Sequence, residues 1–220
     1  MSEVHIATTD PLGLGSIVGG PINVTDISGG PRSDFLEVAG GDGKFIQSAL
    51  VALRPVEEWS IQYELLDTAS FSIAFGAMVN TNYLVTSFSA SCGPDSYPTV
   101  SVTVLKPSAA AKVKAYGSSI TQTLTGGFGI VEKFGATATE AFVSSSCNIT
   151  MQTLEAMGET DGDFMAAGLY HYGFKREVSI EAYSAITTPA ANQVTDTDIR
   201  ESRDGWKIFA ANYWSYLDAS

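Results

Sequence analysis

The chain is poor in the residues on which metal, redox and nucleic-acid chemistry depend. It carries two histidines, two cysteines and 12 lysines and arginines in 220 residues. Neither His5 nor His171 has a second histidine two or four positions away, so neither builds a chelating face. Cys92 and Cys147 form no C-x-x-C and are too few for a disulfide framework. They read as buried or half-buried free thiols made in a reducing compartment. Asp and Glu number 24, leaving a formal net charge of −12. From Phe45 through Leu105 the only base is Arg54, against Glu57, Glu58, Glu64, Asp67 and Asp95. The densest basic group, Lys106, Lys112 and Lys114, is too thin for a phosphate-neutralising stripe. No run of about 18 apolar residues occurs, so no membrane-spanning segment is predicted. Met1 to Ile6 lacks the basic and apolar regions of a secretion signal, and the glycosylation patterns at Asn23 and Asn148 read as chance.

Motif chemistry is equally sparse. Gly13-Leu-Gly15-Ser-Ile-Val-Gly19 is one residue too long for a dinucleotide fingerprint and follows no strand. Gly41-Asp-Gly43-Lys44 ends in Phe45, where a phosphate loop needs Ser or Thr for magnesium. In Glu159-Thr-Asp161-Gly-Asp163 only two acids alternate and no distant Glu completes a calcium loop, so a solvated hairpin turn is expected. There is no G-x-S-x-G elbow, and nothing in the spacing brings Cys92 to His171. No metal, cofactor or catalytic residue is assigned, and the expectation is a protein that is not an enzyme.

What the sequence does have is alternation. Trp59, Ile61, Tyr63 and Leu65 alternate with Ser60, Gln62 and Glu64, and Phe71, Ile73 and Phe75 with Ser70, Ser72 and Ala74. A hairpin is expected from Tyr83–Ala90 through Cys92-Gly-Pro-Asp-Ser-Tyr-Pro98 to Val100, Val102 and Val104. Asn148 to Ala156 reads as a strand. So does Phe174 to Tyr183, with Phe174, Arg176, Val178, Ile180 and Ala182 on one face and Lys175, Glu177, Ser179, Glu181 and Tyr183 on the other. Residues 205–217 lean to strand because Ile, Phe, Tyr and Trp dominate them. Lys44 to Arg54 fits either helix or strand, with Pro55 as its end. Ser108 to Tyr116 is predicted as a short helix capped by Ser108 and stopped at Gly117, Gly126 to Gly135 as a hairpin edge, and 187–204 as a polar loop. The fold class is therefore mainly β: an antiparallel β-sandwich or partly closed barrel with one or two short helices. Two segments are expected. Residues 1–43 make a Gly-rich arm or extended N-terminal segment, and 44–220 a single β-sandwich domain.

The strand texture of Tyr97–Val104, Phe174–Tyr183 and Asp204–Trp214 resembles bacteriophage tail tube (major tail) proteins across about residues 56–217. The resemblance implies a virion structural protein whose subunits join sheets edge to edge into rings, hexameric by default, that stack into a tube. Its implied partners are other copies of itself, other tail proteins, and DNA passing through a lumen without specific binding. It implies assembly from protein made in the host cytoplasm, and brings no cofactor or catalytic residue. An acidic lumen would repel DNA phosphates, and Glu177 and Glu181 are the candidate lumen-facing acids.

Two other classes stay open. A carbohydrate-binding β-sandwich would use exposed aromatics, with Tyr170, Tyr172, Tyr213, Trp214 and Tyr216 as candidates; other capsid or decoration proteins share the same texture. An enzyme using two carboxylates on a β-scaffold would need those acids to face each other in a cleft.

Overall fold

The computed structural model describes residues 18–19, 22–39, 47–75, 78–79, 83–106, 112–115, 120–160, 163–190, 192–201 and 205–217. The architecture is mainly β, two antiparallel layers in a sandwich-like arrangement that does not close, and none of the described residues is helical. The strands are β1 (Val18–Gly19), β2 (Ile22–Ala39), β3 (Gln47–Leu65), β4 (Ser70–Phe75), β5 (Met78–Val79), β6 (Tyr83–Cys92) and β7 (Thr99–Lys106). They continue with β8 (Lys112–Ala115), β9 (Ile120–Thr125), β10 (Phe142–Thr160), β11 (Asp163–Ala182), β12 (Gln193–Glu201) and β13 (Lys207–Leu217). One layer is a large sheet in the order β12-β13-β11-β10-β6-β7-β3-β2, with β5 beside β6 and β8 beside β11. The second layer contains a small sheet, β1-β4-β9.

The core forms where the apolar face of the large sheet meets the small one. Ile61, Tyr63 and Leu65 of β3, Val100, Val102 and Val104 of β7, and Phe88 and Ala90 of β6 are buried there. Ile149 of β10 and Phe174, Val178 and Ile180 of β11 extend the same layer. From the other side come Phe71, Ile73 and Leu124. Phe71 joins the layers, its ring 5.6 Å from Phe88 and 6.2 Å from Tyr63. Where the small sheet ends, the chain at 126–141 and 183–190 takes over as cover. Its two halves are tied by reciprocal Thr137–Thr187 backbone bonds. Phe134 is buried in this cover at φ +46°, and its carbonyl accepts the Tyr213 hydroxyl at 3.2 Å.

Several local expectations are corrected. Lys112–Ala115 is not helical but pairs in parallel with Gly168–His171 of β11; a free strand flank outweighs the weak helix preference of the alanines. The remainder of Ser108–Tyr116 lies outside the described residues. Gly126 to Gly135 forms turns rather than a hairpin edge. Residues 193–201, expected as loop, form β12 against β13. Pro55 does not end its segment: β3 runs through it, at a register shift against β2. Pairing with β7 starts only at Glu57, so no ladder bond is asked of Pro55 on that side. A bulge between Val85 and Ser87 breaks the strict alternation of β6, which buries Tyr83, Leu84 and Val85 together.

Two hairpins outrun the sheet. β10 is paired to β6 only through Thr150, and Met151 to Thr160 continue against β11. β3 is paired to β7 only from Glu57, and Gln47 to Val56 continue against β2. At about 3.3 Å per residue each extension reaches roughly 30 Å. The antiparallel registers place both at the same end of the sheet, the end where β7 finishes at Lys106. Ile22–Ala39, within the expected N-terminal arm, is thus the edge strand of the large sheet; residues 1–17 lie outside the described part.

Candidate functional site: the polar face of the large sheet

The face of the large sheet turned away from the core is polar across its width. The registers define rows that cross all eight strands. One runs Gln193, Trp214, Glu177, Asn148, Ser89, Ser101, Gln62, Asp26. The next runs Asp196, Asn212, Ser179, Ser146, Ser91, Thr99, Glu64, Asn23. Neither row contains an aliphatic side chain. In the middle strands β10, β6 and β7 these positions are Ser, Thr or Asn, so the centre is uncharged and lined by short side chains. Acids stand at both flanks: Asp26 and Glu64 on one side, and Glu177, Glu181, Asp196 and Asp198 on the other.

This surface is concave. A groove of about 660 Å³ lies over Ser89, Ser146, Asn148, Glu177, Ser179, Thr195, Asn212 and Trp214. A second hollow of about 330 Å³ continues it over Gln62, Ser91, Thr99 and Ser101. Period-two alternation produces this face: outside the exposed edge strand β12, each groove residue is followed along its strand by one that enters the core. Ser146, Asn148 and Thr150 alternate with Ser145, Cys147, Ile149 and Met151, which are buried.

Glu177 and Glu181 both lie on this face, and each meets a cation. Lys175 Nζ is 2.6 Å from Glu177 Oε1 and stands over the Trp214 ring at 5.7 Å. Glu181 accepts a 2.9 Å hydrogen bond from the Ser144 hydroxyl, and its other oxygen is 3.4 Å from Arg200 Nη1. Arg200 is shared with Asp198 at 3.0 Å. These exposed pairs hold the Lys175 and Arg200 pKa values above their ordinary range, first through hydrogen bonds to Glu177 and Asp198 respectively.

The aromatic candidates divide. Trp214 and Tyr216 are on the polar face, edge to face at 5.2 Å, with Tyr216 59% exposed. Tyr213 is a correction: it is 1% exposed and points into the core. Burial pushes its hydroxyl pKa up to about 12, against a small lowering by Arg176. Tyr170 and Tyr172 lie on β11 within the projecting hairpin; their side chains are outside the described part, as are that of His171 and all of His5. An exposed pair the sequence reading passed over, Tyr183 and Trp206, has ring centres 5.6 Å apart.

The two thiols are buried and unbridged. Desolvation raises both, Cys147 to about 12, which leaves them inert as nucleophiles or ligands at neutral pH. Among the described residues no group of three or more His, Cys, Asp or Glu is placed to hold a metal ion. No helix among them is long and apolar enough to cross a membrane.

β12 sets the edge of this face. All nine of its residues are exposed. Its far side carries no strand among the described residues, and Val194 and Ile199 are 48% and 61% exposed. The sequence signal for the hydroxyl-lined centre lies in the alternating Ser and Thr of β6, β7 and β10 rather than in charge. Comparison with known protein families and with curated protein sequences finds no match for the chain.

Proposed function

We propose that this chain is a self-assembling structural subunit of the virion tail-tube type, joining edge to edge into rings that stack around a passage for DNA. The observation that carries the reading is β12, a nine-residue edge strand exposed at every position. An open sheet with such an edge is a ready template for another strand. A head-to-tail contact between β12 of one copy and the opposite edge, β2, of the next is heterologous, and such contacts form rings where the rotation between copies closes. The paired hairpin extensions at one end supply reach for contact between stacked rings. The groove face suits a lumen wall: its short uncharged centre offers a polyanion no cation to hold, and its acidic flanks repel phosphate. Glu177 and Glu181 keep their role in this reading as part of one flank, softened by Lys175 and Arg200.

The test is the assembly state of the purified full chain. Negative-stain microscopy and sedimentation velocity are expected to find rings or tubes at high protein concentration. A species that stays monomeric across the accessible range would sink the proposal.

A second reading has its own observation. Trp214, with Tyr216 packed beside it, lines a groove of hydroxyl, amide and carboxylate groups, the kind of surface on which a sugar ring stacks and hydrogen-bonds. Glycan-array binding abolished by Trp214→Ala, in a protein that forms no rings, would favour this carbohydrate-binding module over the tube.

A further inference from the structure

Arg176 departs from the pattern of its strand. Its neighbours Phe174, Val178 and Ile180 on the core side of β11 are buried apolar groups. Arg176 occupies the same face as a half-buried residue whose Nε is fully buried. Its Nη2 donates to Asn192 Oδ1 at 3.2 Å, under the turn closed by the Asn192 N–H and the Pro189 carbonyl. Among the described residues no carboxylate lies within ion-pair distance of it. The basic side chains Lys106, Lys175 and Arg200 each have an acid within 3.4 Å.

The groups around Arg176 share one deficiency. Its own Nε, the Asn192 side-chain nitrogen and the Ser215 hydroxyl are all buried and have no hydrogen-bond partner among the described residues. Ser215 faces Arg176 directly across the β11–β13 ladder and is 7% exposed. The first two are donors only, and the hydroxyl can donate. Buried donors left without an acceptor are costly, and a set of them around one positive charge specifies what is missing. Water would supply acceptors but no negative charge to set against the guanidinium. The positive charge also reaches inward, opposing the rise that burial imposes on Cys147 and Tyr213.

We propose that Arg176, Asn192 and Ser215 form a binding site for an oxyanion, a phosphate or carboxylate group whose oxygens accept from all three. The exposed part of Arg176 marks the side from which the ion would approach, and the guanidinium Nε–H, itself closed to solvent in this structure, would supply a charge-assisted bond of the kind oxyanions favour. The site lies on the core side of the sheet, opposite the groove, and does not depend on how or whether subunits assemble.

Inorganic phosphate is the probe, titrated into the full chain by calorimetry at fixed ionic strength, with thermal unfolding followed in parallel. Wild type is expected to give a saturable one-site heat and an unfolding temperature that climbs with phosphate. Arg176→Gln is expected to weaken binding at least about tenfold, the scale of one charged hydrogen bond. Ser215→Ala and Asn192→Ala, which keep the guanidinium, are expected to weaken it less, and they hold the test open if Arg176→Gln misfolds. Phosphate also stabilises proteins generally by exclusion from their surface. An equal rise in wild type and variants, without saturable heat, would therefore overturn the site.

Discussion

Truncation of Phe88 is the sharpest test of the two-layer arrangement. The ring has no solvent exposure and lies 5.6 Å from Phe71 at 30° between planes, so the two side chains join the large sheet to the small one. Removing a buried phenyl costs about 3–5 kcal/mol in lost transfer energy and residual cavity. The pair adds about 0.5–1.5 kcal/mol beyond area. With a urea slope of about 2 kcal/mol per molar, a loss of about 4 kcal/mol lowers the unfolding midpoint by about 2 M. Phe71→Ala should cost a similar amount alone and less in the Phe88→Ala background, because the pair term is then already gone. A double-mutant cycle by urea denaturation reads that coupling directly. A midpoint shift under about 0.5 M for Phe88→Ala, or strict additivity of the two, would refute the packing of β4 on β6.

Three further outcomes are expected. Cys147, 2% exposed and with a thiol pushed to about 12, should resist iodoacetamide in native protein and react once urea exposes it; stoichiometric native labelling at mildly alkaline pH would contradict its burial. Glu57 accepts from Trp59 Nε1 at 2.7 Å and pairs with Lys106 at 3.1 Å, and those contacts, the Trp59 bond foremost, lower its pKa below the ordinary 4.5. Because the folded value is the lower one, the stability it contributes is present above about 4.5 and lost as pH falls through the folded value. The stability gap between wild type and Glu57→Gln should be present at neutral pH and close in acid, and a gap unchanged by acidification would show the carboxylate charge to be irrelevant. If copies join at the exposed edge of β12 as proposed, Ile199→Lys removes an aliphatic contact of roughly 1.5 kcal/mol and adds a charge there; the concentration needed for assembly should rise about tenfold or more with monomer stability unchanged, and an unaltered assembly concentration would count against that edge.

What could be read from the residues was what local alternation controls. The core faces of β3, β4, β7 and β11 followed period two, and so did the placing of Glu177 and Glu181 on the polar side. What escaped was non-local. β12 is polar at nearly every position, and only its ladder with β13 makes it a strand. β8 exists through parallel pairing with a hairpin some 50 residues away in the chain, which no window of sequence contains. In Asn212–Leu217 aromatics occupy both parities, and register alone turns Tyr213 inward while Trp214 and Tyr216 face out. The bulge in β6 is non-local for the same reason: it is defined against β7, and one extra residue changes the parity of all that precede it. The unpartnered donors around Arg176 were invisible because Asn192 and Ser215 come from different segments.

The common direction of the two hairpin extensions gives the subunit a vector. One end of the sheet reaches outward by two long arms, and the other closes in the short turn at residues 93–98. In the proposed stack, copies added with arms forward would meet the turn-bearing end of the copy ahead, giving unlike termini: one with free arms, the other a blunt rim. Growth at the two termini would then proceed at unequal rates. A separate protein that capped only the rim, or only the arms, would be enough to set where such a column begins and where it stops.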